Sequence, residues 1–129
     1  GVRLGLADLS GANLSGADLT EAWLPGVKLV SADLHATNLR KANLSGADLS
    51  DADLRNANLA WARLTMTNFS EANLTDANLF GANLTGANLF ETILEGVNLS
   101  GAKLDKASLM GARMSGTATE WTTGLDSDE

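Results

Sequence analysis

The sequence predicts an all-β solenoid, a chain wound into stacked coils, and two observations indicate this fold. Every fifth position from Leu4 to Met114 holds a large apolar residue, and 23 positions follow this spacing without a slip. The residue two places before each of them is usually the small residue Ala, and the exceptions are Val2, Val27, Val97, Thr37, Thr67 and Thr92. Such a fixed period is the signature of a repeat architecture, so it decides the fold before any single element is assigned.

A period of five residues fits neither an α-helix nor a flat strand. On a helix, five residues advance the side chain by about 140°, so the leucines would scatter around the cylinder. On a flat strand, an odd period sends successive leucines to opposite faces. A short extended segment can instead direct the small residue and the Leu into one core, and the next two residues then turn the chain. Five residues therefore make one side and one corner of a coil.

The corner positions are rich in turn-forming residues, such as Ser45-Gly46 and Thr85-Gly86. Gly occupies the second corner position in only 10 of the 23 repeats. Because a type II turn favours Gly or Asn at that position and a type I turn accepts most residues, we expect type I turns at a large share of the corners. We also expect a local distortion at Phe69, which replaces a core Leu.

The runs beginning at Ala42, Ala47 and Ala77 (Ala-Asn-Leu-Ser-Gly, Ala-Asp-Leu-Ser-Asp and Ala-Asn-Leu-Phe-Gly) resemble the A-(D/N)-L-X-X pattern of the pentapeptide repeat family. The resemblance covers residues 2 to about 116. It implies a right-handed quadrilateral β-helix with four repeats, and thus 20 residues, in each coil. The 23 repeats would then make about 5.75 coils.

We expect the solenoid to occupy residues 1–116, and residues 117–129 to form a C-terminal cap and an acidic tail. Trp121 is the expected cap over the last core layer, and the segment around it resembles the Trp-containing tail of cyanobacterial family members. The repeat begins in register at Val2. The first coil would therefore present an unpaired edge that is open to end-to-end association.

Composition narrows the classes of function. The chain has no Cys, which excludes disulfides and thiolate metal sites. Its net charge is −7, and four of its 16 acids follow residue 115, which leaves 12 acids against 9 bases before that point. Since general nucleic-acid binding needs a basic surface and the charge balance here is acidic, we expect no direct nucleic-acid binding. The apolar runs are too short to cross a bilayer, so we expect no membrane association and a cytoplasmic location, with the periplasm and the thylakoid lumen left open.

One group of residues invites a test for catalysis. At 20-residue spacing Ser15, His35 and Arg55 share one column, and Asp33 and Asp53 lie on the same face. Ser, His and Asp within reach of one another can support nucleophilic catalysis. A flat or convex face, however, offers no pocket, and a single His excludes a multi-histidine metal site. We therefore predict no enzyme activity and no catalytic, cofactor-binding or metal-binding residues.

Outward-facing side chains supply the candidate partner surface. Residues 20 apart should stack, which brings the corner residues Trp61 and Phe80 about one coil from each other. Acidic residues collect on another part of the solenoid. The candidate partner surface comprises Trp61, Phe80, Asp48, Asp51, Glu71 and Glu91.

Three functions remain open from the sequence. The first, which we favour, is a rigid protein-binding or scaffold module. The second follows from the resemblance, since some pentapeptide repeat proteins resemble duplex DNA and inhibit DNA gyrase; the chain would then be a DNA-mimic inhibitor of gyrase or of another DNA-binding protein. Residues 1–115 carry a net charge of only −3 (12 acids, 9 bases), which departs from that group. The third is a structural or stress-related filler without a single partner.

Overall fold

The computed structural model describes residues 1–125 as one continuous β-solenoid. Each extended segment pairs in parallel with the segment 20 residues later. The 21 parallel bridges run from Arg3–Trp23 to Lys103–Thr123. A coil therefore contains 20 residues, and at five residues for each side and corner it has four sides. The right-handed quadrilateral β-helix predicted from the sequence is confirmed.

The four sides consist of three-residue extended segments, each centred on one bridging residue, and two corner residues separate consecutive sides. The segments recur every 20 residues: side 1 has residues 2–4 to 102–104 and then 122–123, side 2 has 7–9 to 107–109, side 3 has 12–14 to 112–114, and side 4 has 17–19 to 117–119. None of residues 1–125 forms a helix long and apolar enough to span a bilayer.

The repeat at residues 82–86 shows how the backbone hydrogen bonds are satisfied. The Asn83 N–H donates to the coil before it and the Leu84 N–H to the coil after it, at 3.0 and 2.7 Å. The Gly86 N–H also donates to the coil after it, at 2.9 Å, and the Ala82 N–H closes the preceding corner at 3.0 Å. The remaining N–H, that of Thr85, donates to the Asn83 side-chain Oδ1 at 3.1 Å. All five donors are thus paired, as a buried or half-buried backbone requires.

The Asn or Asp before the core Leu therefore has a defined role, because its side chain pairs the first corner N–H in an Asx turn. Asn38, Asn58, Asn78 and Asn98 each accept this local bond, at 3.0–3.1 Å. The stacking of these four residues suggests a ladder of side-chain amides between successive coils. Their oxygens instead accept hydrogen bonds within their own turns. The Asn/Asp position of the repeat serves the corner that follows it.

The core lies along the axis of the solenoid. From Ala22 to Leu104 the inward side chains are at most 2% exposed. The inward hydroxyl groups of Thr67 and Thr92 each donate to a carbonyl 23 residues earlier, at 2.8 Å. Phe69 is fully buried, and its N–H still donates to the Asn88 carbonyl at 2.7 Å. The prediction of a local distortion at Phe69 is therefore wrong for the backbone, because the ladder of hydrogen bonds continues through this residue.

The corners differ from the sequence-based expectation. In every corner from Leu6 to Trp121, the second of the two corner residues has a positive φ, between 53° at Glu91 and 74° at Gly11. Of these residues, 14 are not Gly. A positive φ at this position defines a type II turn, so the expected type I turns are wrong. The left-handed conformation costs about 1–2 kcal/mol for a non-Gly residue. A ladder hydrogen bond from the N–H of the same residue, such as Glu71 to Phe90 at 2.9 Å, offsets this cost.

The C-terminal end also differs from expectation. The parallel ladder continues past residue 116, because Ala118 and Thr123 bridge to the preceding coil. Trp121 lies at a second corner position with 82% of its surface exposed, so its assignment as the cap is wrong. Leu125 packs against the core instead, after Gly124 turns the chain at a φ of 84°. The predicted acidic tail falls on residues 126–129, which lie outside the described residues.

At the other end, the first coil has no coil before it in the described chain. Val2 and Leu4 are consequently 41% and 40% exposed. End-to-end association through this edge stays a prediction.

Replacing Leu64 by Ala is expected to lower the free energy of unfolding by about 2–5 kcal/mol, because the side chain is fully buried and leaves a cavity. Leu4 faces inward on the same side but is 40% exposed, so Leu4→Ala should cost clearly less. Chemical denaturation followed by circular dichroism measures both losses. Equal losses would contradict the assigned core.

Candidate protein-binding surface

The six residues of the candidate surface divide between two diagonally opposite parts of the coil. The aromatic corner, between sides 4 and 1, consists of residues 20–21, 40–41, 60–61, 80–81, 100–101 and 120–121. The acidic corner, between sides 2 and 3, consists of residues 10–11, 30–31, 50–51, 70–71, 90–91 and 110–111. Trp61 and Phe80 belong to the aromatic corner, whereas Asp51, Glu71 and Glu91 belong to the acidic corner. The six residues therefore do not form one continuous surface.

Trp61 and Phe80 are in direct contact. Their ring centroids are 5.3 Å apart and the ring planes meet at 84°, an edge-to-face arrangement. The backbone holds the pair in register, since the Trp61 N–H donates to the Phe80 carbonyl at 2.8 Å. Trp61 keeps 50% of its surface exposed and Phe80 keeps 38%. Edge-to-face aromatic pairs contribute about 0.5–1.5 kcal/mol beyond their burial, so the two rings form a fixed apolar feature.

Gly81 forms the floor beneath the Trp61 ring. A Cβ atom added at Gly81 would lie 2.5 Å from two carbons of the indole, so only Gly leaves room for the ring in this position. Leu6 lies over Gly26 in the same way. The sequence signal is a bulky second corner residue followed 20 residues later by Gly, and it is readable only once the 20-residue coil is known.

The acidic corner places one carboxylate in each of three successive coils. Asp51, Glu71 and Glu91 are exposed, and the N–H groups of Asp51 and Glu71 donate to the next coil at 3.0 and 2.9 Å. Asp48 lies beside them on side 2, where its Oδ1 accepts hydrogen bonds from the Ser50 N–H at 3.0 Å and the Ser50 hydroxyl at 2.7 Å. Asp48 therefore serves its own turn, while the three corner carboxylates face solvent.

The residues grouped around His35 make local contacts within their own turns. The Ser15 hydroxyl donates to Asn13 at 2.8 Å, and the His35 backbone N–H donates to the Asp33 carboxylate at 3.1 Å. Arg55 donates to both Asp53 oxygens, at 2.9 and 2.7 Å. This hydrogen bond from Arg55 lowers the pKa of the Asp53 carboxyl from its ordinary value. Within residues 1–125, no three His, Asp or Glu side chains are grouped to hold a metal ion.

The fold and this surface define a class of repeat proteins. A parallel solenoid built from short repeats, with single side chains arrayed outward in columns, is a rigid repeat protein that presents extended surfaces. A sequence model described as pentapeptide repeats matches residues 1–30, 26–56, 52–89 and 82–117. The chain belongs to the pentapeptide repeat family.

Three solved structures illustrate the similarity. HetL, a pentapeptide repeat protein involved in heterocyst differentiation regulation from Nostoc sp. strain PCC 7120, is 28% identical over 93% of this chain and 75% of its own, with a TM-score of 0.48. Rfr23 from Cyanothece 51142 is 26% identical over 93% and 89%, with a TM-score of 0.47. The fluoroquinolone resistance protein QnrB1 is 19% identical over 97% and 76%, with a TM-score of 0.51, and it shares the fold. No curated protein matches the chain.

Gly81→Ala and Gly46→Ala together test the glycine floor. The φ angles are 67° and 69°, so both replacements place Ala in the left-handed region at about 1–2 kcal/mol. A Cβ at Gly46 meets nothing within 4 Å, whereas at Gly81 it meets the Trp61 ring. We expect Gly81→Ala to lose more stability and to shift the NMR resonance of the Trp61 indole N–H, which Gly46→Ala leaves in place. Equal stability losses with an unmoved resonance would disprove the stacking.

Proposed function

We propose that this protein is a non-catalytic protein-binding module that engages its partner through the aromatic corner. The observation that carries the proposal is the half-exposed Trp61–Phe80 pair. Trp and Phe are enriched at protein interfaces, and Trp leads among residues that dominate binding energy. Family membership supports the general class, because solenoids of this kind present extended rigid surfaces.

The rigidity of the backbone around the pair favours binding. The corner residues on either side of the rings are tied to the adjacent coils, as in Lys41 to Ala60 at 2.9 Å and Gly81 to Ser100 at 3.0 Å. The rings are therefore already in place before a partner arrives. Groups that are ordered in advance lose little conformational entropy on binding, and this preserves affinity.

The acidic corner gives less support to the alternative of a DNA mimic. Its three carboxylates stand one per coil, at about one charge per 4.8 Å of axis. Duplex DNA carries about one charge per 1.7 Å of axis. The acidic corner would thus present roughly a third of the charge density of the duplex. A DNA supercoiling assay separates the alternatives, since gyrase inhibition at micromolar concentration would favour mimicry over the proposed function.

The double variant Trp61→Ala/Phe80→Ala is expected to weaken partner binding by about 30-fold or more, because the loss of a single aromatic anchor of this kind already costs about 2 kcal/mol. The measurement is affinity capture from extracts of the native cell, with quantitative mass spectrometry of the retained proteins.

The matched control is Trp23→Ala/Phe90→Ala. These rings are 45% and 36% exposed, close to the 50% and 38% of the aromatic pair, but they lie on side 1 and at the acidic corner. Proteins retained by the wild type and the control but lost from the test variant would support the proposal. Retention of every partner by the test variant would contradict it.

A further inference from the structure

The charged side chains around the aromatic pair are all cations. They lie within one coil of Trp61 or Phe80, on the aromatic corner or at the outward positions of side 1. These residues, which we call the cationic rim, are Arg40, Lys41, Arg63 and Lys103. The outward positions of side 4 at the same levels are the uncharged Asn38, Asn58, Asn78 and Asn98.

The backbone fixes the rim beside the rings. The Lys41 N–H donates to the Ala60 carbonyl at 2.9 Å, so Lys41 lies one coil below Trp61. Arg63 follows Trp61 by two residues on the adjoining side, and both Arg63 and Lys103 bridge to Asn83. The cations therefore border the aromatic pair on two of its edges.

The rim is exposed and has no ion-pair partner in the described chain. Between residues 1 and 125 the only salt bridge joins Arg55 to Asp53, at a different corner. The whole chain has a net charge of −7, so the rim is a local reversal of the overall charge. Of the acids at the aromatic corner itself, Glu21 lies one coil before Lys41, where its N–H donates to the Arg40 carbonyl at 2.8 Å, and Glu120 lies in the last coil. Four unpaired cations around two open rings are complementary to an anionic partner with an apolar group.

We propose that the aromatic corner binds an acidic peptide segment that carries one large apolar residue, an inference that rests on the function proposed above. The apolar residue packs against Trp61 and Phe80, and its acidic neighbours face the rim. An extended segment advances about 3.3 Å per residue, and adjacent coils are about 4.8 Å apart. Carboxylates one to three residues from the apolar anchor thus reach the cations.

A nucleic-acid strand offers anions and stacking groups too, but it fits this surface less well. Single strands occupy about 4–16 nucleotides on a binding domain and remain charged along their whole length. Such a strand would run along the aromatic corner past the rim to Glu21 or Glu120. An acidic peptide segment can carry its carboxylates only beside the rim, so that no negative charge of the peptide lies next to Glu21 or Glu120.

The probe is a labelled peptide of about twelve residues, with glutamates on both sides of one central phenylalanine. The comparison probes replace the glutamates by lysine, replace the phenylalanine by alanine, or are a single-stranded oligonucleotide of similar length. Fluorescence anisotropy at low and high salt measures each affinity. We expect the acidic peptide with phenylalanine to bind most tightly and to weaken as salt rises.

Lys41→Glu/Arg63→Glu tests the rim and is expected to weaken binding of that peptide by about tenfold or more. Lys28→Glu/Arg113→Glu is the matched control, because it changes the net charge equally on sides 2 and 3, where both cations are exposed. The control should stay within about twofold of the wild type, since distant exposed charges are screened. Thermal melts confirm that both variants fold.

Equal loss in the two charge-reversal variants would overturn the acidic-partner proposal. Tighter binding of the lysine peptide or of the oligonucleotide would overturn it too, as would failure of the acidic peptide to bind. The capture experiment with Trp61→Ala/Phe80→Ala tests the aromatic corner independently of the partner chemistry. If that variant loses its partners while the acidic peptide fails, only the partner chemistry is wrong; if it keeps them, the aromatic corner itself is wrong.

Discussion

The hydrogen bond from each core Leu N–H to a carbonyl 19 residues later sets the geometry of the whole protein. Leu84 to Lys103 at 2.7 Å and Leu44 to Arg63 at 2.8 Å are two examples. Because this bond recurs on every side, each outward residue lies over the residue 20 positions away. Surface features therefore form by column and not by sequence neighbourhood. This is how Lys41, Trp61 and Phe80 meet at one corner.

The corners show the same ladder acting against local preference. Trp61 has a φ of 60°, in the region where Gly is favoured, and its ring is half exposed. Such a residue gains little from the core, yet the backbone around it is fully engaged with the next coil. The ladder thus supports bulky or charged residues at corners that their own propensities would not choose. A solenoid of this kind can vary its corner side chains while its core stays constant.

The five-residue spacing of Leu predicted the core, because apolar side chains at that spacing are buried only if the chain turns after each of them. The resemblance to the family supplied the 20-residue coil, and this coil placed Trp61 and Phe80 about one coil apart; their direct contact was found only in the structure. Turn type could not be predicted from the frequency of Gly, since ladder bonds impose a positive φ even on Glu91. The role of the Asn position depended on which N–H remained unpaired, and this requires a full account of the backbone bonds. Trp121 suggested a cap by its size, but its register placed it at a corner and left Leu125 to pack on the core.

The six candidate surface residues are separated for a similar reason. Their positions around the coil follow from their place in the four-sided repeat, which charge and hydropathy do not reveal.

The central claim is that residues 20 apart are direct neighbours, and cysteine cross-linking tests it in a chain that has no Cys. Asn58 and Asn78 bridge in the ladder, which suits the Cα separation of about 4.4–6.8 Å that a disulfide needs. Asn58→Cys/Asn78→Cys should cross-link under mild oxidation, and Asn58→Cys/Asn73→Cys, which joins sides 4 and 3, should not. Cross-linking of the second pair without the first would contradict the four-sided coil.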